Sequence, residues 1–144
     1  MLKTSARNQI PCTVTAVHNG AVNDSIELQQ VHGGQKLVAT ITRDSTRYLE
    51  LTTGKAVTAL IKASSVIVAL PDPGMRLSAR NLLAGKVGQL TPGAVNAEVD
   101  IELADGGTLT AIITLASARN LGLEPGTAVI AVIKASMVIL GTTA

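Results

Sequence analysis

Ser5-Ala6-Arg7-Asn8 returns later in the chain as Ser78-Ala79-Arg80-Asn81, and this verbatim return of a polar tetrapeptide decides how everything else is read. Working outward, Gly20-Ala21-Val22-Asn23 returns as Gly93-Ala94-Val95-Asn96, and Ile61-Lys62-Ala63-Ser64 as Ile133-Lys134-Ala135-Ser136. A duplicated core would need only apolar residues to recur. Here hydrogen-bond donors recur in register, which packing alone does not require. The offset is 73 residues at the first two motifs (Ser5 to Ser78, Gly20 to Gly93) and 72 at the third (Lys62 to Lys134), so the copies slip by one residue between Asn23 and Lys62. That slip costs least in the turns Val31-His32-Gly33-Gly34 and Ala104-Asp105-Gly106-Gly107. Two tandem domains follow, residues 1–70 and 75–144, joined by the stiff connector Pro71-Asp72-Pro73-Gly74.

Composition narrows the class. Domains of roughly 70 residues bury only about 60% of their unfolded surface, and Tyr48 is the only aromatic residue among 144. The core must therefore be built from Val, Ile, Leu and Ala, which favours two halves, or several chains, burying surface together. The single cysteine, Cys12, excludes an internal disulfide and fits a reducing compartment. No signal peptide is visible and no apolar run approaches the roughly 20 residues needed to cross a bilayer, so the expectation is a soluble, cytoplasmic protein without a membrane partner. Twelve basic and ten acidic residues leave a net charge of +2 with no basic cluster. Nucleic-acid binding draws on basic stripes and aromatic platforms, neither of which is present. A small anion suits the weak basic excess better.

Alternation dominates the pattern. Val14 and Ala16, Ile26 and Leu28, and Leu37, Ala39 and Ile41 fall two apart, as half-buried strands require. Val57 to Ile61 and Val66 to Leu70 read as two further strands, with a short helix from Arg43 to Leu49 capped by Thr42, and with Thr114 opening its counterpart. The fold class is all-β: two tandem OB-like, five-stranded Greek-key barrels, each with one short helix before its fourth strand.

Metal and catalytic chemistry fail early. His18 and His32 stand opposite Thr91 and Asp105, and Cys12 opposite Gly85, so neither a zinc-like cluster nor a base for a nucleophilic serine is kept in both copies. The repeated motifs offer oxyanion donors instead. On an extended strand Ser5 and Arg7, or Ser78 and Arg80, face one side while Ala6 and Asn8, or Ala79 and Asn81, face the other. A guanidinium fork and a hydroxyl suit an oxyanion; the plain alternative is an exposed Arg beside a turn Asn. Lys62 with Ser64, and Lys134 with Ser136, would share a strand face around Ala63 and Ala135, or the lysines would simply reach solvent. Thr42 and Ser45, recurring as Thr114 and Ser117, read either as helix caps or as hydroxyl contacts for an anion. Gly20-Ala21-Val22-Asn23 and Gly93-Ala94-Val95-Asn96 are what a strand-to-strand turn selects, or a second oxyanion pocket where symmetry gathers several turns. In that pocket Asp24 and Glu98 would have to point away.

These four motifs, in this order and twice over, resemble the Mop family of molybdate-binding domains, the molbindins, across essentially the whole chain. The resemblance implies an OB-like fold and binding of molybdate, with tungstate as a mimic, between domains. It carries the site to Ser5, Arg7, Thr42, Ser45 and Lys62 and to Ser78, Arg80, Thr114, Ser117 and Lys134. It also implies a second class of site on a molecular threefold axis, which we assign to the Gly-Ala-Val-Asn turns. Free-standing tandem members form homotrimers. The same pair also serves as the sensor region of a dimeric, molybdate-responsive transcription regulator, whose entry segment Leu2 to Gln9 resembles. A molybdate store or buffer, with no catalytic activity, is the first expectation and a regulator's sensor the second; a nucleic-acid-binding OB protein is a distant third.

Overall fold

Along Asn23–Gln30 the residues alternate between interior and half-exposed, Asp24, Ile26, Leu28 and Gln30 facing inward, and this two-residue period builds most of the molecule. The computed structural model describes residues 2–143. In order, β1 (Asn8–Asn19), β2 (Asn23–Gln30), β3 (Lys36–Thr42), α1 (Arg43–Tyr48), β4 (Ala56–Ile61) and β5 (Ile67–Ala69) are followed by β6 (Asn81–Pro92), β7 (Asn96–Leu103), β8 (Thr108–Thr114), α2 (Leu115–Asn120), β9 (Ala128–Ile133) and β10 (Val138–Gly141). Single 3-10 turns, Ala63–Ser65 and Ala135–Met137, precede β5 and β10. The one-residue slip lies where the turns suggested: β2 and β7 start 73 apart, β3 and β8 start 72 apart.

Two five-stranded antiparallel sheets result, ordered β10-β4-β1-β2-β3 and β5-β9-β6-β7-β8. Both are curled, OB-like half-barrels. Each long first strand shifts register once, between Val14 and Ala16 and between Val87 and Gln89. Such a bulge bends the strand and increases the local twist, which lets five strands curl.

The fifth strands do not stay with the repeats that encode them. Ile61 of β4 pairs with Asn8 on one side and with Val138 of β10 on the other, so the edge that β5 would have used is taken by the last strand of the second repeat. Reciprocally, β5 pairs with β9, Ile67 opposite Val132. The compact units are therefore Met1–Lys62 with Ala135–Ala144 (unit 1) and Ala63–Lys134 (unit 2), whereas the sequence division falls at 1–70 and 75–144. A 3-10 turn with its alanine buried, Ala63 at 2% and Ala135 at 5% exposure, carries the chain off the end of β4 or β9 instead of reversing it.

Each unit has its own aliphatic core. Ile26, Leu28, Leu37 and Ile61 fill unit 1 and Val99, Ile101, Leu109 and Ile133 fill unit 2, all fully buried, each side chain stabilising by roughly 1.5–3 kcal/mol. One backbone detail separates the copies. Glu50, just past α1, holds φ +53, where the second copy has Gly122 at φ +62. A left-handed L-residue costs roughly 1–2 kcal/mol, partly offset by the entropy that glycine loses on folding. Glu50→Gly is accordingly expected to raise unfolding free energy by about 0.5–1 kcal/mol in denaturant titration, and Gly122→Glu to lower it.

Candidate functional site

Strand β1 begins only at Asn8, so Ser5 and Arg7 belong to the irregular lead-in and not to an extended strand. The same holds for Ser78 and Arg80 before β6. Their environments differ along the motif. Ser5, Arg7, Ser78 and Arg80 are exposed, while Asn8 and Asn81 are buried at 5% and 2%. The Asn8 amide donates to the Ile61 carbonyl at 3.2 Å, which fixes the lead-in against the end of β4. Asn8 therefore acts as a structural bridge across the ladder.

That bridge sets the geometry of the charges. Because Asn8 pairs with Ile61, and Asn81 with Ile133, Arg7 and Lys62 leave the β1/β4 ladder at one end, as Arg80 and Lys134 leave the β6/β9 ladder. Both lysines are exposed. Lys62 and Lys134 follow their strands, and Ser64 and Ser136 lie within the 3-10 turns, so the expected shared strand face for Lys and Ser is replaced by a turn. Ala63 and Ala135 are core residues.

The strand exchange changes which serine joins which hydroxyl pair. In unit 1 a groove of about 480 Å³ is lined by Thr42 and Ser45 together with Ser136, and also by Asn23, Tyr48 and Ile139. In unit 2 a groove of about 410 Å³ joins Thr114 and Ser117 to Ser64, with Asn120 and Ile67. Neither lining includes a carboxylate. The Thr42 hydroxyl accepts the Ser45 N–H at 3.1 Å and donates to Ser45 Oγ at 2.8 Å; Thr114 and Ser117 repeat this at 3.0 and 2.8 Å. The threonines are thus occupied as caps, and each serine hydroxyl keeps its own proton to donate outward. A further groove in unit 2, about 450 Å³, brings Ser78 and Ala79 to Lys134 beside Ile67, Met75 and Leu77. Ile67, 61% exposed, stands between the lysine groove and the hydroxyl groove.

At the turns the bland reading has direct structural support. A Cβ at Gly20 would fall on the Asn23 carbonyl, and one at Gly93 would lie 2.9 Å from the Asn96 carbonyl, so both glycines are required by close backbone approach. Ala21, Val22, Ala94 and Val95 are exposed at the tips, Val22 at 72% and Val95 at 73%. Asp24 does not point away. It is 1% exposed, and its Oδ1 accepts the Gly20 N–H at 3.0 Å. The neighbouring Thr46 hydroxyl, then the Gly20 N–H and the charges of Arg43 and Arg47, hold its carboxyl below the usual range against the opposing effect of burial. The Thr46 hydroxyl donates to the Thr42 carbonyl at 3.3 Å, and the buried Asp24 Oδ2 has no hydrogen-bond partner. In the second copy Asn96 closes the turn instead, its carbonyl accepting the Gly93 N–H at 2.8 Å.

Other reactive groups lie apart from these grooves. Cys12 is buried, and burial pushes its thiol up to about 11, which makes it an inert core residue. His18 is exposed and pairs with Glu27 at 3.0 Å. Among the described residues no group of three or more His, Cys, Asp or Glu side chains could hold a metal ion, and no helix is long and apolar enough to cross a membrane.

Known proteins share this arrangement. Residues 4–68 and 77–140 each match the TOBE domain. The chain is 47% identical over 140 residues to the molybdenum-pterin-binding protein MopA of Rhodobacter capsulatus, covering 96% of this chain and 52% of that protein. It is 41% identical over 139 residues to the molybdenum transport protein ModE of Azotobacter vinelandii, with 96% and 51% covered. The chain thus spans about half the length of these curated relatives. Among solved structures, the cytoplasmic molybdate-binding protein ModG, in a form with molybdate bound, superposes with a TM-score of 0.94 at 46% identity, covering 99% of this chain and all of that one.

Proposed function

Because the chain belongs to the TOBE domain family, as two such domains in tandem, we propose that it binds molybdate, with tungstate as a mimic, and stores or buffers it in the cytoplasm. The observation that carries this reading is that Arg7 and Lys62 flank the Asn8–Ile61 pair at one end of the β1/β4 ladder, as Arg80 and Lys134 flank Asn81–Ile133, in units that each hold a groove lined by hydroxyls and no carboxylate. A tetrahedral dianion needs about two positive charges to offset it. The guanidinium supplies a planar fork, the ammonium a point charge, and Ser45, Ser117, Ser64 and Ser136 rotatable donors. None of these steps makes or breaks a covalent bond, which agrees with relatives that are named as binding and regulatory proteins.

Assembly belongs to the same proposal. Ile139 and Ile67, at 63% and 61% exposure, with Met75, Leu82, Met137, Val22 and Val95, leave apolar surface open on a single chain. In unit 2 the lysine and the hydroxyls line different grooves, so one chain's cations would meet another's hydroxyls when such faces pack. A homotrimer is the expected assembly. Light scattering at micromolar concentration with molybdate present checks it, and a monomeric mass would sink it. Native mass spectrometry with and without molybdate returns oligomer size and anion count together, and no retained anion at any oligomer size would overturn the molybdate reading.

A second reading, the sensor region of a molybdate-responsive regulator and then dimeric, is favoured by similarity to proteins named transcriptional regulator ModE, of which this chain matches about half. A helix-turn-helix encoded upstream in the same reading frame would establish it in place of the store.

A further inference from the structure

One buried cluster differs between the copies as a set. Asp24 and Thr46, at 1% and 8% exposure, occupy positions that in the second repeat are Ala97 and Ala118, at 1% and 2%. Around them the second copy carries half-exposed Glu98, which pairs with the groove residue Ile112, where the first has Ser25. Arg43 and Asp44, both exposed, are replaced together by Leu115 and Ala116, and Arg47 by Arg119. At the far end of α1, exposed Glu50 faces Gly122, while the Lys55 ammonium, opposite Thr127, donates to the Leu49 carbonyl at 2.6 Å. What remains is one buried negative charge in unit 1 and none in unit 2.

That charge lies next to the hydroxyl groove. Asp24 follows Asn23 and pairs with Ile41, and Thr46 follows Ser45; Asn23, Ile41 and Ser45 all line the groove. Exposed charges are screened within a Debye length, whereas a buried carboxylate is screened much less. A dianion in that groove therefore feels a repulsion that the exposed arginines offset incompletely.

Resting on the molybdate reading above, we propose that Asp24 and Thr46 impose an order of filling: the groove of Thr114, Ser117 and Ser64 takes its oxyanion first, and the groove of Thr42, Ser45 and Ser136 follows at a concentration at least about tenfold higher. The pair acts as a specificity-setting element of the first repeat, beneath the groove and outside its lining. Its effect is a staged buffer in which one class of site holds anion tightly and the other releases it.

Equilibrium dialysis of the intact protein against molybdate tests the order. The wild type is expected to fill in two steps, Ser117→Ala removing the tighter and Ser45→Ala the weaker. Asp24→Ala with Thr46→Ala installs the residues that the second repeat already folds with, and should bring the weaker step to within about threefold of the tighter. Asp24→Asn, which keeps the shape and removes the charge, should move it in the same direction. A single step in the wild type, a weaker step unmoved in either variant, or the reverse assignment by the serine variants overturns the order while leaving molybdate binding intact. No bound molybdate in any variant or in the wild type sinks the molybdate reading itself, and the order with it.

Discussion

Deleting residues 138–144 is expected to unfold the part of the molecule built from the first repeat and to spare most of the second. Strand β10 is encoded at the end of repeat two, yet it pairs with β4 from Val138 opposite Ile61 to Gly141 opposite Thr58. Val138 and Leu140 are 1% and 7% exposed in the unit 1 core. Losing two such side chains removes roughly 3–6 kcal/mol of burial, and the open β4 edge adds unpaired backbone groups. Against a domain stability of about 5–15 kcal/mol, that is a large fraction of what unit 1 has. Hydrogen exchange should show rapid labelling in β1 to β4 and retained protection in β6 to β9. The opposite pattern, with protection lost in the second repeat, would mean that β10 closes its own repeat and that the exchange is wrong.

Much of this was legible because duplication supplies its own control. Alternation in Asn23–Gln30 and Lys36–Thr42, the length slip at Val31 to Gly34, and the Thr42 and Thr114 caps all rest on local physics, and local physics is written in local sequence. Strand exchange is not. Nothing in Ile67–Ala69 distinguishes pairing with β4 from pairing with β9, since β5 and β10 are equivalent segments leaving equivalent turns; the choice is made by chain geometry at Ala63 and Ala135. That Ser136 lines the groove of Thr42 and Ser45, and Ser64 that of Thr114 and Ser117, follows from this exchange and is not written in the motifs. Similarly, Arg7 and Lys62 could be paired from the motif, but their placement just outside the ladder depends on Asn8 bonding back to the Ile61 carbonyl. The Asp24 and Thr46 cluster did leave a signal. Both positions become alanine together in the second copy, so the buried carboxylate and the buried hydroxyl are lost as a set.

Lys62→Ala is expected to weaken molybdate binding by at least about tenfold, and Lys134→Ala to do the same for the other class of site. Each proposed donor set balances a dianion with one Arg and one Lys, so removing the Lys leaves net negative charge and an oxygen without its donor. Truncating one partner of a buried, hydrogen-bonded charge pair costs roughly 2–5 kcal/mol, but both lysines are exposed in the single chain, and exposed pairs give far less. A tenfold loss, about 1.4 kcal/mol, is the least that a contact completed by a neighbouring chain should give. Stability should change by no more than about 0.5 kcal/mol, as for other surface substitutions, because neither ammonium contributes to the core. Calorimetric titration separates the outcomes. If each variant loses affinity at one subset of anions and keeps the other, the lysines are ligands and the two classes are distinct. If stoichiometry and affinity are unchanged in both, Lys62 and Lys134 are solvated residues at the ends of β4 and β9, and the anion is held by the arginines and hydroxyls alone.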